Sequence, residues 1–276
     1  MTHEDERFLA KRVALVTGSL GRGIGRSVVL HLARAGANVV INYGSSGRTI
    51  DRSREIERLT KAIAGFGSRS IVVEADTGAD VGVAALIKQS TEAFGKIDIL
   101  VNNAGAPWLE QDFAEVAAER WRNTLMAEVF GPAALIAAVL PSMRAQHWGR
   151  IISIVVDFRS FQFMLDASYG HRLRAAAYPF WIAKRPRMEM VEELAHAEFR
   201  HGVTINGVLP GIIEECSWET ALAEASGGAE LGSPLAGPPD IARLIVRLCS
   251  NEFRWVSGAR LVVPGNLFSR IRKSSL

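Results

Sequence analysis

The chain has 276 residues, 48% of them hydrophobic and 22% charged, with a formal net charge of +3. This length fits one large α/β domain with a substantial core, and the composition excludes a disordered or fibrous chain. A nearly balanced charge without a clustered basic stripe argues against a nucleic-acid binder, and Arg270, Arg272 and Lys273 read as a solvated tail.

Met1 to Lys11 is polar and lacks the apolar core of a signal peptide. Arg12 to Val16 is a short apolar run that predicts a strand. A Gly-rich turn follows, then a helical pattern from Ile24 to Ala35 with Ile24, Val28 and Leu32 on one face. Asn38 to Asn42 predicts a second strand, Glu55 to Phe66 a helix and Ser70 to Glu74 a third strand. Val81 to Phe94 reads as a helix, Asp98 to Val101 as a strand, and about Ala117 to Gln146 as one long helical stretch. Arg150 to Val155 is the next strand. Met188 to His201 is an amphipathic helix, Val203 to Val208 a strand, Asp240 to Ser250 a helix and Ala259 to Val263 a last strand. No apolar run reaches membrane-spanning length. Cys216 and Cys249 form no metal-like spacing, so no metal, no membrane and a reduced, cytoplasmic protein are expected.

Strands and helices alternate throughout, and the strands are continuous apolar runs, as parallel strands covered on both faces should be. The expectation is a Rossmann-type doubly wound parallel α/β sheet of about seven strands in a single domain spanning 1–276, with ligands at the carboxyl ends of the strands.

The turn between the first strand and its helix reads Thr17-Gly18-Ser19-Leu20-Gly21-Arg22-Gly23-Ile24-Gly25. Glycines there permit a tight turn and close approach of the backbone to a pyrophosphate. The helix start adds N–H donors and a positive dipole. The second strand ends in Asn42-Tyr43-Gly44-Ser45-Ser46, without the carboxylate that holds a ribose 2′-hydroxyl in NAD enzymes. Arg22, Ser45 and Ser46 would instead welcome a 2′-phosphate, which favours NADP(H) over NAD(H).

Further on stand Asp76-Thr77, Asn102-Asn103-Ala104-Gly105, Pro210-Gly211 and Trp255-Val256-Ser257-Gly258. Together with the Gly-rich turn, these make the chain resemble the short-chain dehydrogenase/reductase family over nearly its whole length. The resemblance implies that Gly18 to Gly25, Tyr43, Asp76, Thr77 and Asn103 to Gly105 meet the nucleotide. It also implies that Lys184, Pro210, Gly211 and Ile213 meet the nicotinamide side. Gly18 to Gly23 is one residue longer than the family's usual spacing. A small-molecule substrate and a homodimer or homotetramer, built on helices near 117–146 and 186–201, are further implications.

The family works with Asn, Ser, Tyr and Lys. Seven residues past Trp121, where the family's Asn belongs, stands Glu128, and the Ser position after Gly149-Arg150-Ile151-Ile152 is Val156. Counting back from Val203-Thr204-Ile205-Asn206 places the family's Lys at Lys184, and the Tyr position four residues earlier is Phe180. Only the Lys survives. Pro186 favours a helix start there, which would leave Lys184 just outside the helix. Tyr169 falls thirteen residues after Val156, the family's Ser-to-Tyr spacing, but Leu173 stands four later. Tyr169 and Tyr178 read either as a relocated acid or as packing residues. Asp157 and Asp166 read either as carboxylates for a cationic substrate or as solvated loop residues, and Glu128 is a third candidate for that charge.

Without a phenol to neutralise a developing oxyanion, ketone reduction should be slow. An iminium carbon is already cationic. Three functions therefore stand open: an NADPH-dependent reductase of an imine, iminium or other unusual electrophile in specialised metabolism; a non-redox cyclase, dehydratase or isomerase; or an NADP(H)-binding pseudoenzyme.

Overall fold

A computed structural model describes residues 7–44, 51–107, 109, 111–157, 178–211, 213 and 236–263. Its strands are β1 Val13–Val16, β2 Asn38–Tyr43, β3 Ser70–Glu74, β4 Ile99–Asn102, β5 Gly149–Ile154, β6 Val203–Pro210 and β7 Arg260–Val263. They form one sheet in the order β3-β2-β1-β4-β5-β6-β7, with every neighbouring pair parallel. The helices are α1 Ile24–Arg34, α2 Arg52–Gly65, α3 Asp80–Phe94, α4 Ala118–Leu125, α5 Gly131–Ala145, α6 Tyr178–Glu198 and α7 Pro238–Leu248. The result is the doubly wound, single-domain Rossmann architecture expected from the alternation.

The strands read as unbroken apolar runs because both faces are covered. In β1, Ala14 and Val16 join one core, and Val13 and Leu15 join the other. Successive side chains of a strand point to opposite faces, so four consecutive apolar residues serve two helix layers at once. The strand order reverses between β1 and β4, which opens a crevice at their carboxyl ends.

Three expectations need correction. The helix expected over Met188–His201 begins ten residues earlier, at Tyr178, and Pro186 lies inside it. Proline removes the N–H that would bond the Ile182 carbonyl, but Ile182 and Pro186 are both exposed, so water can take that bond. The buried side, Ala183, Lys184, Arg187, Met188 and Val191, anchors the helix across the proline. Lys184 is therefore helical. The long stretch near 117–146 is helical but not uniformly α, because a π turn at Met126–Phe130 joins α4 to α5. The span Ala118–Ala145 is also long and apolar enough, by length and composition, to cross a membrane. In this fold its apolar residues Leu135, Ile136, Val139 and Met143 are buried against the sheet.

Candidate active site

At the crevice, Gly18 has a left-handed backbone (φ +62°), and a Cβ there would stand 3.0 Å from the Ala104 Cα. At Gly25 a Cβ would meet Asn103 Nδ2 at 2.6 Å and the Gly18 carbonyl at 2.7 Å. These two glycines let the turn lie flat on the end of β4. The turn is also clamped there: Asn103 Nδ2 donates to the carbonyls of Thr17 (2.9 Å) and Gly18 (3.0 Å). Thr17 Oγ1 accepts from the N–H groups of Asn103 and Ala104, both at 2.9 Å. Gly23 caps α1 with no side-chain hydrogen bond, which leaves the helix-start donors open to an anion. A glycine cradle at an uncapped helix start fits a dinucleotide's pyrophosphate.

A cleft of about 1380 Å³ opens above this turn. Gly18, Gly21 and Arg22 line it, as do Tyr43, Asp76 and Thr77, and then Asn103, Ala104 and Gly105. The remaining expected cofactor residues lie elsewhere. Ser19 is fully buried; its hydroxyl donates to the Val16 carbonyl (2.8 Å) and its N–H to the Asn42 carbonyl (2.8 Å). Gly23 and Ile24 begin α1, and Ile24 and Ile213 pack on the core. Pro210 ends β6, and the Gly211 N–H donates to Val263 (2.9 Å). Ser45, Ser46, Asp166 and Tyr169 lie outside the described residues.

Two cleft residues escaped the sequence reading. Asn42 is buried at the end of β2. Its Oδ1 accepts from the Gly18 N–H (3.2 Å), and its Nδ2 donates to the carbonyls of Val73 (3.3 Å) and Ala75 (3.0 Å). A buried amide closing an apolar strand was the available signal. Arg52 opens α2 and enters the cleft beside Tyr43, with its guanidinium 5.4 Å from the phenol ring and 3.4 Å from Glu74 Oε1. Tyr43 donates to Glu74 Oε2 at 3.1 Å. Desolvation, then the Glu74 hydrogen bond and charge, push the phenol's pKa above its ordinary value. The apolar periodicity begins only at Glu55, so nothing in the local pattern marks Arg52 as helical.

Behind the Gly105 and Ala106 wall of the cleft lies a buried ion cluster. The π turn carries Glu128, which is fully buried. Its Oε2 accepts from Lys184 Nζ (2.8 Å) and Arg187 Nη1 (2.7 Å), and its Oε1 accepts from the Ala106 N–H (2.8 Å). Both cations also reach the Ile154 carbonyl at the end of β5, at 3.3 and 3.4 Å. Arg187 Nη2 donates to the Ala104 carbonyl at 3.0 Å, joining the cluster to the nucleotide turn. Desolvation lowers the Lys184 pKa to about 8 against the opposing charge of Glu128, and lowers that of Arg187. The Lys184 ammonium lies 5.1 Å from the Phe180 ring centre.

Val156 and Asp157 are buried just past β5, and the Asp157 N–H donates to the Pro210 carbonyl at 3.0 Å. Tyr178 stands edge-on to Phe113, 5.2 Å between ring centres. Among the described residues no group of His, Cys, Asp and Glu could hold a metal ion.

Residues 18–265 match a family model described as enoyl-(acyl carrier protein) reductase. The chain is 32% identical to the L-rhamnose 1-dehydrogenase (NAD(P)(+)) of Azotobacter vinelandii, over 96% of this chain and 100% of that one. It is 32% identical to the (2S)-[(R)-hydroxy(phenyl)methyl]succinyl-CoA dehydrogenase subunit BbsD of Thauera aromatica, over 93% of this chain and 96% of that one. Among solved structures, the L-sorbose reductase of Gluconobacter frateurii, complexed with NADPH and L-sorbose, superposes with a TM-score of 0.75 at 26% identity, covering 94% of this chain and 97% of that one. A metagenomic blue fluorescent protein in complex with NADPH gives 0.73 at 28% identity, covering 93% and 98%.

Proposed function

The chain belongs to the short-chain dehydrogenase/reductase family, and from that premise we propose that it is an NADP(H)-dependent oxidoreductase with a non-standard active site, reducing a small imine or a related electrophile in specialised metabolism. NADPH when bound supplies hydride. The Gly18–Gly25 turn and the α1 start would hold its pyrophosphate, and Arg22 and Arg52 its 2′-phosphate. The absence of a carboxylate among the described residues at the end of β2 supports NADP(H) over NAD(H).

One observation carries the choice of substrate: a buried lysine, its pKa lowered to about 8, is held on Glu128 behind the cleft wall. By the family's spacing, Val156 and Phe180 fall at the Ser and Tyr positions. In the family a ketone's developing oxyanion is met by a Ser hydroxyl and a Tyr phenol together, and Val156 and Phe180 offer neither. An imine nitrogen instead needs one proton near neutral pH, and a donor is most effective when its own pKa lies near the working pH. Lys184 Nζ is that donor in this reading, and Glu128 holds it in place.

We read the assembly as a cytoplasmic homodimer or homotetramer built on α4–α5 and α6, supported by the exposed Phe130 and Ile182 on those helices. The test of function is a fluorescence titration with NADPH and NADH, followed by cofactor oxidation with cyclic imines and ketones. NADPH oxidation by imines with ketones inert supports the proposal. Tight NADPH binding without oxidation by any imine overturns it in favour of a non-redox enzyme or a pseudoenzyme.

A further inference from the structure

Lys184 and Arg187 lie three residues apart on the buried side of α6, and both reach the same oxygen of Glu128. One carboxylate thus faces two cations. A guanidinium keeps its proton in proteins, so Arg187 is the permanent counter-charge and Lys184 the surplus one. In a buried site the surplus cation is the one that can give up its proton, because the pair left behind is neutral.

We propose that Arg187 is a positioning residue: by neutralising and holding Glu128, it leaves Lys184 free to hand its Nζ proton to the substrate. The inference rests on Lys184 being the proton donor of the proposed reaction. In that step an N–H bond of Lys184 breaks, its electron pair stays on Nζ, and the proton forms an N–H bond on the imine nitrogen. Solvent returns the proton after turnover. Without Arg187, Glu128 would have Lys184 as its sole counter-ion among the described residues and would hold the proton on it.

The surroundings of Lys184 support the charge count. Among the described residues, beyond Glu128 and Arg187, β5 offers it the Ile154 carbonyl and α6 the Phe180 ring. β6 carries no charged side chain. On α5, Arg144 is paired with Glu198. Glu119, Arg120 and Arg122 on α4, Asp157 past β5, and Arg185 and Glu189 on α6 are not among the groups acting on Lys184. Arg187 also bonds the Ala104 carbonyl, so the residue that balances Glu128 touches the cofactor turn.

The test is a pH titration of Lys184 by 13Cε-lysine NMR on cofactor-free protein, assigned with Lys184→Met, in wild type, Arg187→Met, Arg187→Lys and Glu128→Gln. Arg187→Met should raise the Lys184 midpoint by about 1 pH unit or more. Arg187→Lys should return it most of the way, and Glu128→Gln should move it down. The basic limb of imine turnover should shift in the same directions, because protonated Lys184 is the active form. An unmoved midpoint in folded Arg187→Met, or an upward one in Glu128→Gln, overturns the inference. Should Arg187→Met fail to fold, Glu128→Gln decides: a fall supports it and no fall overturns it. A wild type that reduces no imine sinks the proposed reaction, whereas the opposed NMR shifts still report the charge coupling.

Discussion

Gly105 lies directly against the Glu128 carboxylate, so that a Cβ on Gly105 would overlap Oε1. The nucleotide-facing turn and the ion cluster are therefore in contact. Gly105→Ala should push Glu128 off Lys184 and Arg187 or lift the turn. The expected cost is about 1–3 kcal/mol of stability, as for overpacked sites, with weakened NADPH binding. Urea unfolding and a fluorescence titration check both.

The buried lysine makes stability depend on pH. Lys184 titrates near pH 8 in the folded chain, against 10.5 for its ordinary value. Between these values the unfolded state binds more protons, so stability rises with pH across that window. Below pH 8 the burial penalty is present in full, and above 10.5 it has gone. Lys184→Met removes this dependence. Plotted against pH, the stability difference between wild type and variant should change by no more than about 3 kcal/mol between pH 8 and 10.5. Denaturant midpoints across that range test it, and a flat difference would remove the buried-cation account.

Arg52 should discriminate between cofactors. Arg52→Ala should weaken NADPH binding by about tenfold or more and leave NADH binding nearly unchanged, because only the 2′-phosphate uses a charge-assisted bond there. Equal losses for both cofactors would place Arg52 outside the phosphate site. Glu74→Gln should strengthen NADPH binding, since it frees Arg52 from a competing carboxylate.

Pro186 gives a prediction of the opposite sign. It sits on the exposed side of α6, where an alanine would restore one main-chain hydrogen bond without meeting buried neighbours. Pro186→Ala should stabilise the chain by up to about 3 kcal/mol, read as a raised melting temperature.

Much of this fold was legible because its physics is local. The runs at β1, β2 and β5 are apolar on both faces, and the Gly18–Gly25 turn combines spacing with position between a strand and a helix. Counting back from β6 leads to Lys184, a buried residue that the structure pairs with Glu128. What stayed hidden depends on contacts distant in sequence. The Glu128–Arg187 bond joins residues 59 apart, and no spacing rule announces it. The start of α6 was misjudged because Pro186 reads locally as a helix beginning. Only tertiary anchoring at Ala183 and Lys184 carries the helix past it. Glu128 was singled out as a carboxylate for a substrate cation, yet the cations it meets are the protein's own.

Asn42 has a consequence of its own. One amide joins the first turn at Gly18 to the chain leaving β3 at Ala75. The Gly-rich turn and the chain leaving β3, two walls of one cleft, are thus spaced by a single side chain. The width of the cleft at this point is therefore set by the reach of one buried amide, a dimension that neither wall fixes alone.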